Sequence, residues 1–247
     1  LAVTSEHAAK FERGLALFDF DGTMISWDTQ ILFANHVLKQ EPVRRLYFPL
    51  FLSFTPFVGI LGDEGMKRIF LSYLWKTEPA KLEEWVRGFV AEWVPGRCYA
   101  ELIGRMERHR EAGHLTVLAS ASPEFYIKEV GRVLGFDLAF GTPVEVGEEM
   151  KLFPDLRNHK GGEKVRRLSE LLGPPPEGGW LRSHGYTDSS ADLPMMDGCQ
   201  AGTVVNPSEK LTKIAEERDW EILRPQVPWR GKADKLRQML GFMLGMG

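Results

Sequence analysis

The sequence predicts an α/β protein carrying a helical insert, and three observations support this. Two short apolar runs, residues 15–18 and 115–119, show no polar alternation. That pattern suits strands buried on both faces, as in a parallel sheet. Between them, from residue 24 to about residue 110, strand patterning gives way to helical spacing. Acidic and hydroxyl residues follow the apolar runs, at the strand ends where open α/β sheets place their ligands.

The first strand runs into Asp19-Phe20-Asp21-Gly22-Thr23. Residues i and i+2 of a strand share a face, so the carboxylates of Asp19 and Asp21 would converge on one small volume. Two such charges are costly together unless a cation neutralises them or one holds a proton. A hard divalent ion such as Mg²⁺ takes oxygen ligands from carboxylates and backbone carbonyls, and a protonated carboxyl can act as a general acid. Asp and Gly also favour plain turns, so the rest of the chain must decide.

Residues 1–13 read as a polar lead-in. Helices are predicted over 29–39, 64–75, 79–93 and 99–112. In the third, Leu82, Trp85, Val86, Phe89 and Val90 recur at three- and four-residue steps before Pro95-Gly96 breaks the pattern. This divides the chain into a discontinuous core, 11–25 and 111–247, and a helical cap, 26–110, set above the strand ends as a lid. Residues 46–62 are uncharged and contain Pro49 and Pro56. The span is short for a membrane crossing. It predicts a buried helical hairpin inside the cap, the alternative being an apolar surface for an amphiphilic substrate, a membrane interface or a partner.

The second strand, 115–122, ends in Ser120 and Ser122, and Pro123 opens a helix. Ser120 would sit near a helix N-terminus, suited to an anion such as phosphate; capping the helix is the other reading. A short strand is predicted over 136–141 and a helix from 158 to 172. Lys160 and Lys164, near the start of that helix, offer point charges able to reach a phosphate. After the loop 173–179, a strand over 180–186 leads to Asp188 and Asp192, again carboxylates at a strand end. A further strand covers 201–206. A weakly amphipathic helix over 233–243 would pack on the core or touch a membrane.

With 247 residues and a net charge of −3, the chain gives no electrostatic case for nucleic acid or an anionic bilayer. Cys98 and Cys199 fit no metal spacing, and a reduced cytoplasmic setting is the default, with the inner face of a membrane as a further location if the apolar span is exposed. No signal-peptide pattern stands near Leu1.

Four motifs in order, the Asp-x-Asp-Gly-Thr after residues 15–18, Ser120 after an apolar run, a lysine, and Asp188-x-x-x-Asp192, resemble those of the haloacid dehalogenase superfamily. The position of the helical insert resembles the phosphoserine phosphatase-like subgroup. That resemblance implies a doubly wound, mostly parallel sheet of Rossmann-like type with an all-helical cap. Ala121-Ser122 stands where phosphoserine phosphatases usually have Gly-Gly, and Ser189 and Ala191 stand where they usually have Gly and Asn. The apolar cap and the Gly185-Tyr186-Thr187-Asp188-Ser189 run look more like the bacterial phosphatidylglycerophosphatase branch.

The resemblance implies a Mg²⁺-dependent phosphomonoesterase. Asp19 would be the nucleophile and Asp21 the general acid and base. Asp19, Asp188 and the Asp21 carbonyl would bind the metal, with Asp192 supporting them. Ser120 and Lys160 would hold the phosphoryl oxygens, with Lys164 as runner-up to Lys160. An aspartate at position 21 favours ester hydrolysis over dehalogenation or phosphonate cleavage. The expected substrate is an amphiphilic or lipid phosphate, the alternatives being a small phosphoserine-like ester or a non-catalytic binding module on the same fold.

Overall fold

A computed structural model describes residues 14–175 and 179–247; the lead-in 1–13 and part of the loop before residue 179 lie outside the described residues. Six parallel strands form one sheet in the order β3-β2-β1-β4-β5-β6. They are β1 (Leu15–Phe18), β2 (Leu115–Pro123), β3 (Leu138–Thr142), β4 (Trp180–Thr187), β5 (Cys199–Val205) and β6 (Glu221–Leu223). The chain winds outward from β1 through β2 and β3, then returns to the other side of β1 for β4 to β6. The strand order therefore reverses between β1 and β4, which opens a crevice beyond their carboxyl ends.

The side chains of β1 show why its sequence is apolar throughout. Ala16 and Phe18 enter one hydrophobic cluster, while Leu15 and Leu17 enter a second on the opposite face. Helices α1 (Thr29–Gln40), α4 (Pro79–Trp93), α5 (Ala100–Glu111) and α6 (Glu124–Leu134) contribute to the first cluster. Helix α7 (Gly162–Leu172) and the single turn α8 (Leu193–Met196) contribute to the second. The doubly wound arrangement follows from burying both sets of β1 side chains. In α4, Pro79 occupies the first turn and Leu82, Trp85, Val86, Phe89, Val90 and Trp93 form the buried face. The sequence reading missed α9 (Glu209–Glu217) and the three-residue edge strand β6. Helix α10 (Lys232–Met243) packs on the molecule as expected: Phe242 sets its ring edge-on to Trp27 at 5.1 Å, and the Tyr47 hydroxyl donates to the Met243 carbonyl at 2.7 Å.

The buried hairpin predicted for 46–62 is corrected. The segment forms α2 (Tyr47–Phe54), a 3₁₀ turn at Thr55–Phe57 and α3 (Val58–Phe70), and it bends at Gly62, whose φ is 62°. Leu52, Phe57 and Val58 are each about half exposed, and Ile60 is 86% exposed. Only the ends of the unit, at Tyr47, Ile69 and Phe70, are buried. Lack of charge made the span look like core, but the hairpin projects and no described element covers its outer side. By length and composition the run Pro42–Leu74 is apolar enough to cross a membrane, yet its 3₁₀ segments and the bend at Gly62 break it into short helices.

A histidine cluster lies between α5 and the sheet. His109 shares hydrogen bonds with His114 (Nδ1 to Nδ1, 2.9 Å) and the Tyr186 hydroxyl (2.8 Å), and His184 bonds the Thr203 hydroxyl at 2.7 Å. Burial pushes His109 down to about 4, aided by His184, His114 and the nearby Arg108 and Arg105. Burial likewise lowers His184 to about 4, with Arg105 acting in the same direction and Glu221 opposing. Below about pH 6.5 the unfolded chain binds protons that these folded imidazoles refuse, so stability falls as the pH drops toward 4. Thermal melts should show this acid limb, and His184→Gln should shallow it; an unchanged limb would contradict the assignment.

Candidate active site

Asp19 leaves β1 on the face of Leu15 and Leu17 and is buried. Its Oδ1 accepts from Lys164 Nζ at 2.6 Å and its Oδ2 from the Thr23 hydroxyl at 2.9 Å. Lys164 also donates to Asp192 Oδ2 at 2.9 Å, and Asp192 accepts from the Thr187 hydroxyl at 2.8 Å. The ammonium of Lys164 is thus clamped between two buried carboxylates. Burial alone would depress it; Asp19 and Asp192 outweigh burial and hold it above its usual range. For Asp19, burial and the charges of Asp192 and Asp188 outweigh the attraction of Lys164, so its carboxyl is pushed up.

The structure places the two candidate lysines differently. Lys160 is 53% exposed and pairs with Asp63 of the cap at 2.6 Å, whereas Lys164, the runner-up, meets Asp19. The reason is the turn before α7. Gly161 takes a left-handed φ of 62°, and the helix starting at Gly162 turns Lys164 inward on the same face as Leu168 and Leu172. That i, i+4, i+8 spacing was the available signal: a lysine in phase with two buried leucines has its stem directed to the core.

Asp21 occupies a different set of donors. Its Oδ1 accepts from the Thr29 amide (2.6 Å) and hydroxyl (2.5 Å) at the start of α1. Its Oδ2 accepts from the hydroxyls of Ser120 (3.0 Å) and Ser122 (2.7 Å) at the end of β2. Ser120 also accepts the Ser122 amide at 2.9 Å. The predicted motif residues of β1 and β2 therefore meet directly.

Asp188 faces the turn after β1. A methyl group at Gly22, whose φ is 82°, would overlap the Asp188 carboxylate, so only glycine permits this approach. Burial raises the Asp188 carboxyl to about 6, with the charges of Asp192 and Asp21 adding to the effect. The buried ammonium of Lys164 thus bonds Asp19 and Asp192 and lies near Asp188, while Asp21 is held by hydroxyls and an amide. Among the described residues no three His, Cys, Asp or Glu side chains form an all-protein metal cage. Mg²⁺ does not need one, since it is commonly held by one or two carboxylates and keeps several waters. An all-oxygen donor set with excess negative charge fits that ion.

The sequence reading missed Lys67. It reaches from α3 to the Ala121 carbonyl (2.6 Å) and the Asn158 side-chain oxygen (2.5 Å), so the inserted helices touch the end of β2 between the two serines. Burial lowers its ammonium to about 8 against the pull of Asp28 and Asp21.

The profile of the haloacid dehalogenase-like hydrolases matches residues 16–197, which spans both aspartate pairs, Ser120 and Lys164. The chain belongs to this hydrolase family. It is 26% identical over 229 residues to a histidinol-phosphatase of Neisseria meningitidis, with 85% of this chain and 98% of that protein covered. It is 24% identical over 217 residues to a phosphoserine phosphatase of Mycobacterium tuberculosis, covering 84% of this chain and 69% of that one. A solved structure of a Bordetella pertussis protein of unknown function superposes with a TM-score of 0.72 at 24% identity, covering 85% and 98% of the two chains. A substrate-bound phosphoserine phosphatase superposes with a TM-score of 0.54 at 17% identity, covering 92% and 97%. These two structures share the fold of this chain.

Proposed function

We propose that the chain is a Mg²⁺-dependent phosphomonoester hydrolase that forms an aspartyl-phosphate on Asp19. The observation that carries the reading is the Asp19–Lys164–Asp192 clamp beside Asp188, with Asp21 held by Ser120 and Ser122. Phosphatase-named relatives support the same class. Such a complete set has no evident use in a binding module without turnover.

In the first step an Asp19 oxygen attacks phosphorus and the bond to the alcohol oxygen breaks. Asp21, protonated, gives its proton to the departing alkoxide. In the second step Asp21, now a base, takes a proton from water, and that water attacks phosphorus. Inorganic phosphate leaves and Asp19 is regenerated. Lys164 stabilises the negative charge beside Asp19, and Ser120 exchanges its bond to Asp21 for one to the phosphoryl group. Asp19, Asp188 and the Asp21 carbonyl would hold Mg²⁺, which supplies charge neutralisation for the approach of a phosphate dianion. Asp19 is nearly closed to solvent, so the ester enters when the cap lifts and Lys67 releases Ala121 and Asn158. The cap in this reading is the helical region inserted between β1 and β2.

Hydrolysis of p-nitrophenyl phosphate should require Mg²⁺ and stop in EDTA. Saturating Mg²⁺, at about 100 times its Kd, should add about 2.7 kcal/mol of stability, a rise in Tm of several degrees for a chain of this size. Asp188→Asn should remove both effects. Equal activity and equal Tm in EDTA would refute the metal reading.

The exposed apolar hairpin favours an amphiphilic or lipid phosphate and peripheral contact with a membrane, at a cytoplasmic face, over a small soluble ester. Flotation with neutral phosphatidylcholine vesicles should fall when Phe57→Asp and Ile60→Asp are combined. Flotation unchanged by those substitutions would rule out the hairpin as the contact.

A further inference from the structure

A cavity of about 580 Å³ lies between the cap, the end of β2, the segment before α7 and helix α10. At its polar end, Asp28, Lys67 and Asn158 surround Ala121, the residue between the two serines that hold Asp21. Away from that end the lining changes character. Phe51, Met66 and Phe70 of the cap stand on one side and Met239 and Met243 of α10 on another. The chamber reaches Ala121, next to the buried serines, and its walls on the side of α10 are apolar.

Met239 and Met243 are one turn apart, so they share a face of α10. The helix is held firmly enough to present that face. Phe242 packs edge-on against Trp27 and Trp93, and Trp229, just before the helix, packs against Trp27 at 4.8 Å. Arg45 donates to the Gly245 carbonyl at 3.1 Å, and Asn35 exchanges hydrogen bonds with the Gly247 backbone. Helix α10 also lies beyond residue 197, where the family match ends. The catalytic motifs therefore do not account for its position against the cavity.

We propose that α10 is a specificity element: Met239 and Met243 form, with Phe51, Met66 and Phe70, a chamber that selects phosphate monoesters whose alcohol carries an unbranched or flexible apolar group. Methionine suits this task because its unbranched, polarisable side chain adapts to irregular apolar shapes. The inference rests on the phosphomonoesterase reading for its orientation, with the phosphate toward Asp19 and the organic part toward α10. Apolar contact also rewards chain length, with each buried methylene worth up to about fourfold in binding.

The test uses ethyl, butyl and hexyl phosphate with the full chain and Mg²⁺, and the matching alkylphosphonates as non-hydrolysable ligands in calorimetry. The wild-type kcat/KM should rise at least tenfold from ethyl to hexyl, and phosphonate affinity should rise in parallel. The pair Met239→Ser and Met243→Ser should cut the hexyl-to-ethyl ratio about fivefold or more in both measurements. Leu236→Ser and Leu240→Ser, on exposed positions of the same helix, should leave that ratio at its wild-type value. A flat chain-length profile, or a ratio insensitive to the methionines, would overturn the inference while leaving the hydrolase reading intact. Chain-length-dependent phosphonate binding without hydrolysis of any ester would instead overturn the hydrolase reading and retain the chamber.

Discussion

Asp19→Asn should abolish phosphate release, lowering kcat by at least about 10³-fold, if Asp19 forms the proposed covalent intermediate. The same substitution should not unfold the protein. The native carboxyl is buried beside Asp192 and Asp188, and these surroundings push its protonation upward. A neutral amide removes that repulsion; its oxygen can still accept from Lys164, and its NH2 can donate to the Thr23 hydroxyl, which accepts as well as donates. In EDTA the Tm of the variant should therefore equal or exceed that of the wild type. A structural role for Asp19 predicts the reverse, a lower Tm with partial activity. Measuring kcat and Tm on the same preparation separates the two.

Lys164→Met has the second large effect, on stability and rate together. The substitution leaves Asp19 and Asp192 buried without their common cation. Breaking a buried pair by removing one partner typically costs about 3–5 kcal/mol, which corresponds to a Tm about 10 °C lower for a chain of this size. Loss of the charge beside the attacked phosphoryl group should lower kcat by roughly 10²–10³-fold. Lys160→Met should change either quantity little, because its ion pair with Asp63 is largely exposed. Comparable damage from both variants, or greater damage from Lys160→Met, would contradict the placement of Lys164.

The two lysines also mark the boundary of what could be read from the sequence. Asp19, Asp21, Ser120, Asp188 and Asp192 could be placed near one another because each follows a predicted strand, and a parallel sheet brings such strand ends together. The lysine comes from a helix whose starting phase depends on the left-handed turn at Gly161. A shift of four residues moves the side chain from the rim, at Lys160, to the buried clamp, at Lys164. The apolar hairpin was misplaced for another reason: composition records that Leu52, Phe57 and Ile60 are apolar but not whether anything covers them. Lys67 and Met239 escaped notice because their roles exist only through contacts between segments distant in sequence. The edge strand β6, three residues long, was too short to show a period.

The account depends on transfer of phosphate to one carboxylate. Rapid acid quenching during turnover of a ³²P-labelled ester tests this directly. The account predicts a Mg²⁺-dependent, hydroxylamine-labile label on the peptide containing Asp19, appearing and decaying at rates compatible with kcat and missing in Asp19→Asn. Turnover with no label on the protein, or a label on another residue, would contradict it.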